Sequence, residues 1–536
     1  MKSLLLNASF TSIFLLLGLT TFCFAQQTHK TIPVVPGVSL ELAKYRKSII
    51  SDIEYDLIFD IPSDKNLAIN GQESISFTIK PSGASIDTAI IAREGGVFQE
   101  NGSIYDDTPA DKDLQIDFKQ NADHVKFVHV NGKNIPIILL QEHLIVDRQY
   151  LTRGKNLIEI HFIAGDASLN RNNDYLYALF VPDRARTVFP CFDQPDLKAK
   201  FGLVLHIPNG WKALANGLSS IDSTSTKKYT SYLFNLSDKL PTYLFSFTAG
   251  KYTDVKQMVG NRSAEFLHRE TDSAKIKLSV DSIFIAHKNA IDFLENWTSI
   301  KFPFQKVGFI AIPDFQFGGM EHPGEVQYKA SSLFLDEGAT KDQFIARSNL
   351  ISHETAHMWF GDLVTMQWFN DVWMKEVFAN FMADKVTEKM MGSETFNLKF
   401  LLDHYPAAYG VDRTQGANPI RQQLDNLQDA GSLYGNIIYH KAPIMMRQLE
   451  LLMGKENFQK GIREYLKKYA YSNATWPDLI AILSKYTKEN LYDWNKVWVN
   501  QPGRPVFDYQ VSYSGNNINN LTLTQHPETG AKRIWP

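Results

Sequence analysis

The period of the hydrophobic pattern changes once along the chain, and that change constrains the fold more than any other feature. From about residue 50 to 255, apolar and polar residues alternate. Ile75, Phe77 and Ile79 alternate with Ser74, Ser76 and Thr78; Ile158, Ile160 and Phe162 alternate with Glu159 and His161; Phe201, Leu203, Leu205 and Ile207 repeat the theme. Successive side chains on a strand point to opposite faces, so a period of two describes half-buried antiparallel strands. Asn131-Gly132 and Asn209-Gly210 supply turns between them. From about 280 to 495 the period lengthens towards 3.6, the repeat of an amphipathic helix. The spacing predicts helices over 343–360, ended by Gly361, and over 371–391, ended by Gly392. Further helices are expected near 432–452, 457–469 and 475–486. The stretch 306–335 between the two regions carries strand-like apolar runs and Gly318-Gly319. After Pro505 the β pattern returns over Phe507–Tyr513 and Leu521–Thr524, enough for two or three strands. The expected layout is an N-terminal all-β domain over 26–255, an α-rich domain over 256–498 and the start of a third β domain over 499–536.

Residues 1–25 read as a secretory signal peptide. Lys2 is the basic start, Ile13–Leu19 the apolar centre, and Ala25 the small residue at the cleavage point. The alternative, a membrane anchor, needs an unbroken apolar run of about 20 residues, and this one is shorter. No other segment is long enough, so no transmembrane segment is expected after cleavage. The expected location is therefore outside the cytoplasm, periplasmic or secreted. The chain has two cysteines, Cys23 and Cys191, which excludes a disulfide framework and a cysteine-based metal site. Cys191, the one left after cleavage, is expected to be buried and inert. With 55 lysines and arginines against 58 aspartates and glutamates, the net charge is −3. That balance carries no footprint for nucleic acid.

His353-Glu354-Thr355-Ala356-His357 falls inside a predicted helix. Residues four apart share a helix face, so both imidazoles can reach one metal ion. Glu354 is rotated by roughly 100° from His353, which suits it to a water on the metal rather than to the same coordination sphere. A catalytic zinc site needs a third ligand and an open fourth position. Glu376, with eighteen residues between it and His357, lies on the next predicted helix, and a short loop between antiparallel helices would return it to the histidines. A glutamate on an exposed helix face is the alternative reading of that position.

These residues resemble the motif of aminopeptidase N and its relatives, peptidase family M1 of the gluzincins. Gly318-Gly319-Met320-Glu321-His322 resembles that family's GAMEN sequence, Phe189-Pro190-Cys191-Phe192-Asp193-Gln194-Pro195 its FPCFDEP segment, and Tyr439-His440-Lys441 the segment of its catalytic tyrosine. The resemblance runs from about 50 to 510. It implies a thermolysin-like catalytic domain and one Zn²⁺ per chain on His353, His357 and Glu376. It also implies Glu354 as general base, Tyr439 as a donor to the oxyanion, and peptides with a free N-terminus as substrates. Glu321 would pair with the substrate's α-ammonium, and Gly318, Gly319 and Met320 would line the peptide's path. The function expected is an exported zinc aminopeptidase. An epoxide hydrolase with aminopeptidase activity and a binding protein that has lost activity are the other readings.

The chain departs from the family at several positions. His322 replaces the GAMEN asparagine and is expected still to donate a hydrogen bond. Ala442-Pro443 follows the tyrosine segment; proline lacks an N–H, which predicts a kink or a helix start there. Leu179 and Val181 stand where the family commonly places a glutamine and a glutamate, so an apolar first subsite is expected. Full-length relatives continue through a β-sandwich and a helical domain over the active site; Gln501–Pro505 resembles the start of that sandwich.

Overall fold

The computed structural model describes residues 32–80, 112–222, 225–226, 228–528, 530 and 532–536. The signal peptide expected over 1–25 and Cys23 lie outside the described residues.

The alternating segments build a twisted eight-stranded sheet. Its order is Ser219–Ile221, Tyr229–Phe234, Ala199–Pro208, Ile50–Asp60, Asn70–Ile79, Gly154–Ile163, Val125–Val130 and Lys133–Asn134. Ile50–Asp60 pairs with Ala199–Pro208 in parallel; its other neighbour, Asn70–Ile79, is antiparallel. Alternation translates directly into burial. Ile75 lies opposite Tyr55 on one side and Ile158 on the other, and all three are inside. A four-stranded and a three-stranded sheet pack with it. The β-rich reading holds, with one addition: a helix, Leu40–Ile49, precedes the first strand, and Ser39 caps it by accepting from the Leu42 N–H. It delivers Arg46 into the core, onto Asp117.

A second sheet starts at Thr253. Its order is Thr253–Val259, Arg262–His268, Val307–Ile312, Val326–Lys329 and Gly319–Met320, which leaves Gly319–Met320 at an edge. The boundary expected near 255 thus falls inside the first strand of this sheet. The 26-residue helix Ser273–Thr298 connects its second and third strands, in the manner of a parallel crossover.

The helices that follow match the 3.6 period, with instructive differences. The helix expected over 343–360 is Lys341–His357; it stops short of Gly361 because 358–363 form a loop closed by bonds such as Asp362 N–H to His357 C=O. The second is Val372–Met391, ended at Gly392 (φ 82°). The single helix expected over 432–452 is broken into a 3-10 turn at Leu427–Leu433, a π turn at Ile437–Lys441 and a helix Ala442–Met453 with Pro443 in its first turn, where proline needs no donor. Ser393–Asp412, a 20-residue helix with Pro406 inside, was not anticipated.

The β-rich part and the helical part share one continuous core. Polar contacts also join them: Lys198 Nζ donates to the Asp362 carbonyl at 2.8 Å, and Tyr175 Oη to Asp314 Oδ1 at 2.7 Å. Cys191 is buried and unpaired, and burial raises its thiol well above the ordinary range. Pro505–Ser514 and Asn517–Pro527 close the chain as a two-stranded hairpin with Phe507, Tyr509, Leu521 and Leu523 exposed. Among the described residues no helix is long and apolar enough to cross a membrane.

Candidate active site

The two histidines come from the last turns of Lys341–His357. The start of this helix is secured by a reciprocal cap: Thr340 Oγ1 accepts from the Gln343 N–H, and the Gln343 side chain accepts from the Thr340 N–H. After His357 the chain turns at Gly361, where a Cβ would meet Lys375 Cβ at 3.1 Å and His357 Nδ1 at 3.3 Å with φ at +129°. Only glycine fits so close to the next helix at that φ. Val372–Met391 then runs antiparallel to the histidine helix: Glu376 faces both histidines, Asn380 faces His353 and Thr387 faces Asn349.

His353 Nε2 and His357 Nε2 lie 3.1 Å apart, and Glu376 Oε2 is 3.6 and 3.9 Å from them. His357 Nδ1 sits 3.0 Å from the Phe360 carbonyl and His353 Nδ1 2.9 Å from Asn380 Oδ1. A carbonyl oxygen only accepts, so each Nδ1 carries the proton and each Nε2 presents a lone pair. Three lone-pair atoms therefore converge, two of them neutral nitrogens facing one another. A cation relieves that arrangement, and four-coordinate zinc with bonds of about 2.0–2.2 Å wants donors about 3.3–3.6 Å apart. The residues fit the metal. Glu354 also brings an oxygen within 4.8 Å of the histidines. Lys375 Nζ holds Glu376 Oε1 at 2.7 Å, which leaves Oε2 facing the imidazoles and able to hold a metal with them.

Glu354 is buried and packs against Gly319. A Cβ on Gly319 would meet Glu354 Oε1 at 2.3 Å, whereas one on Gly318 would meet only Leu350 Cδ1 at 3.4 Å. The two glycines are thus not equivalent: the close approach to Glu354 rests on Gly319. Burial pushes the Glu354 carboxyl up to about 8, against the pull of His353, with Glu321 and Glu376 adding to the rise. Burial also depresses His357, to about 4. Glu321 lies on Lys375 Nζ at 2.6 Å; burial alone would raise its carboxyl, and the Lys375 ammonium holds it well below the usual range.

These groups open onto a cleft of about 1500 Å³. Gly318, Gly319, Met320 and Glu321 line one wall, and Tyr439 lines the cleft from the π turn, its hydroxyl raised by burial. Tyr434 stacks beside it at 6.3 Å between ring centres. Two expectations fail. His322 is fully buried and does not line the cleft, so it donates nothing to a peptide there. Leu179 is buried in the β core; of that pair only Val181 reaches the cleft.

Residues 51–244 match the Peptidase M1 N-terminal domain, and residues 284–498 match the Peptidase family M1 domain. The chain belongs to peptidase family M1. Relatives include the puromycin-sensitive aminopeptidase of Caenorhabditis elegans, 35% identical over 62% of this chain and 35% of that protein. The leucyl aminopeptidase of Saccharolobus solfataricus is 30% identical over 63% of this chain and 42% of its own length. Aminopeptidase N of Streptomyces lividans is 26% identical over 90% of this chain and 54% of its own length. The chain thus spans between about a third and just over half of these M1 relatives.

Within this M1 site, sequence reasoning named the ligand candidates but missed the groups that orient them. Asn380 stands four residues beyond Glu376, one helical turn along the same face, and that spacing alone could have found it. Lys375 was visible only as part of Trp373-Met374-Lys375-Glu376, and nothing local marks it as the partner of Glu321.

Proposed function

We propose that this M1 chain is an exported zinc-dependent aminopeptidase that removes the first residue of peptides, with one Zn²⁺ held by His353, His357 and Glu376. The observation that carries the reading is the convergence of two imidazole lone pairs and a carboxylate oxygen beside Glu354, in an open cleft. Zinc, when bound, lowers the pKa of water to near 7 and polarises a carbonyl. Glu354 receives the proton of the attacking water and passes it to the leaving amine. The Tyr439 hydroxyl donates to the scissile carbonyl oxygen as charge develops on it. Gly319–Met320 has a neighbour on one side only, so a peptide adds along it as a further strand, its first residue beside Glu321 and Val181. Export is supported by the pattern of 1–25.

The test is a panel of aminoacyl 4-nitroanilides against the purified mature chain, with and without a chelator. Hydrolysis that a chelator abolishes and added zinc restores supports the reading. Hydrolysis indifferent to the chelator, or none by the zinc-loaded protein, overturns it.

A further inference from the structure

The edge strand Gly319–Met320 sets the direction in which a peptide leaves the metal. With its first residue beside Glu321, a peptide added to this edge runs back past Gly318, because beyond Glu321 the chain turns into the protein, where the buried His322 gives its N–H to the Met320 carbonyl. At Gly318 the peptide meets the histidine helix: a Cβ there would lie 3.4 Å from Leu350 Cδ1. From Leu350 onward the two antiparallel helices form the floor of the cleft. Asn349 Nδ2 donates to Thr387 Oγ1 across them at 2.9 Å, and nearer the metal site Asn380 meets His353. Asp384 stands between Asn380 and Thr387 on one stripe of the helix Val372–Met391, and it lines the cleft.

The Asp384 carboxylate is the unanswered charge of this stretch. At the amine and metal end the charges engage one another: Lys375 bridges Glu321 and Glu376, and Glu354 lies against Gly319 beside the histidines. On the helix Ser393–Asp412, Lys399 is paired with Asp403. Arg184, on the β-rich wall, donates to Ser168 Oγ and the Ala167 carbonyl. Arg447 attracts Asp384, but its guanidinium bonds Asn397 and lies 4.7 Å over the Phe400 ring. His404 and His440 face each other at 3.3 Å, and burial holds both below the ordinary imidazole range, so neither supplies a cation. Asp342, in the first turn of the histidine helix, adds negative charge to the cleft. Asp384 itself has no hydrogen bond or ion pair among the described residues. Burial pushes its carboxyl up to about 7, against the pull of Arg447 and His353, so an arriving cation would draw it into the charged form.

We infer that Asp384 selects the leaving part of the peptide, and that this cleft favours substrates with a lysine or arginine within the first two residues after the scissile bond. One helical turn separates Asp384 from Asn380, about 6 Å at 1.5 Å per residue, and an extended peptide covers about 3.3 Å per residue. A basic side chain on either residue spans that gap, with its aliphatic stem on Phe396 and Phe400, which wall the cleft. A glutamate in the same place meets Asp384 and Asp342 as like charges. The inference rests on the aminopeptidase reading and specifies the leaving side of its substrates.

The experiment measures initial release of leucine from Leu-Lys-Ala amide and Leu-Glu-Ala amide, and from Leu-Ala-Lys amide and Leu-Ala-Glu amide. It uses zinc-loaded wild type, Asp384→Asn and Asp384→Lys, with zinc content measured on each. Wild type should favour lysine over glutamate in kcat/KM by at least about fivefold at one of the two positions, mostly through KM. Asp384→Asn should bring that ratio to within about twofold of unity, and Asp384→Lys should turn it in favour of glutamate. A wild-type preference below about fivefold at both positions, or one that both variants retain with zinc bound, overturns the inference. Calorimetry on Glu354→Gln with Leu-Lys-Ala amide and Leu-Glu-Ala amide keeps the two readings apart. If neither these peptides nor leucine 4-nitroanilide is hydrolysed, the aminopeptidase reading fails; tighter binding of the lysine peptide then still supports the Asp384 assignment, and equal binding of the two refutes it.

Discussion

Two buried charge clusters in this chain use the same chemistry and reach opposite ends. In the β-rich part, Arg46 gives two bonds to Asp117, at 2.7 and 2.5 Å, and a third to the Gln115 carbonyl. His143 adds a 2.8 Å contact to Asp117 and places its other nitrogen on the Val35 carbonyl, and the Asp193 N–H also donates to Asp117. Every oxygen of Asp117 is answered from within the chain. In the cleft, one ammonium serves two carboxylates, and two imidazole nitrogens turn their lone pairs on each other. Both clusters are buried, so burial does not separate structure from function. The direction of the lone pairs does: the first cluster closes on itself, and the second leaves its imidazole lone pairs without a donor from the described residues.

If the comparison is sound, substitutions in the second cluster change chemistry and leave stability, and those in the first do the reverse. The largest effect is expected for Glu354→Gln. Turnover should fall by about 10²–10⁴-fold with bound zinc and Tm unchanged, read by anilide kinetics beside metal analysis and calorimetry. Near-normal turnover with zinc in place would show that Glu354 is not the base.

Asp117→Asn comes next and inverts the pattern. It leaves the Arg46 guanidinium uncompensated in the core, which costs about 3–5 kcal/mol of stability, measured by denaturant unfolding; the rate per folded molecule should not change. Its pH dependence has a definite sign. Burial opposes ionisation of Asp117, and the Arg46 charge with the His143 contact overcomes it, so its folded pKa is depressed. The stabilisation is fully present above the unfolded value of about 3.9 and is lost as pH falls below it. A variant that unfolds with the same acid profile as wild type would remove the basis for calling this cluster structural.

Tyr439→Phe is the finest test. It deletes one hydroxyl and little volume. The expected loss in kcat is about 10²–10³-fold, with zinc content and Tm at wild-type values. An unchanged rate would pass the donor role to Tyr434, whose ring stacks on Tyr439.

The local parts of both regions were legible without coordinates. Alternation in Asn70–Ile79 is a statement about which face each side chain takes, and it became the buried face of the large sheet. His353 and His357 share a face because a helix repeats every 3.6 residues, and Gly392 ends the second helix where the pattern stops. Pro443 marked a kink or a helix start, and the structure makes it a start, because proline has no donor to lose in the first turn. The break at 427–442 escaped because the apolar spacing continues through it while the backbone hydrogen bonds change partners.

What only the tertiary structure decided is which side chains meet across elements. Lys375 and Glu321 are 54 positions apart, and they pair because the edge strand Gly319–Met320 lies across the two helices, close enough that Gly319 admits no side chain against Glu354. The same packing turned His322 and Leu179 into the core and left Val181 on the cleft. Spacing alone determined that His353 and His357 share a helix face, and it set the order of strands and helices, since both follow from the period along one element. The charge that a substrate meets was set by the fold, because Coulomb interactions act through space and depend on contacts that no local period encodes.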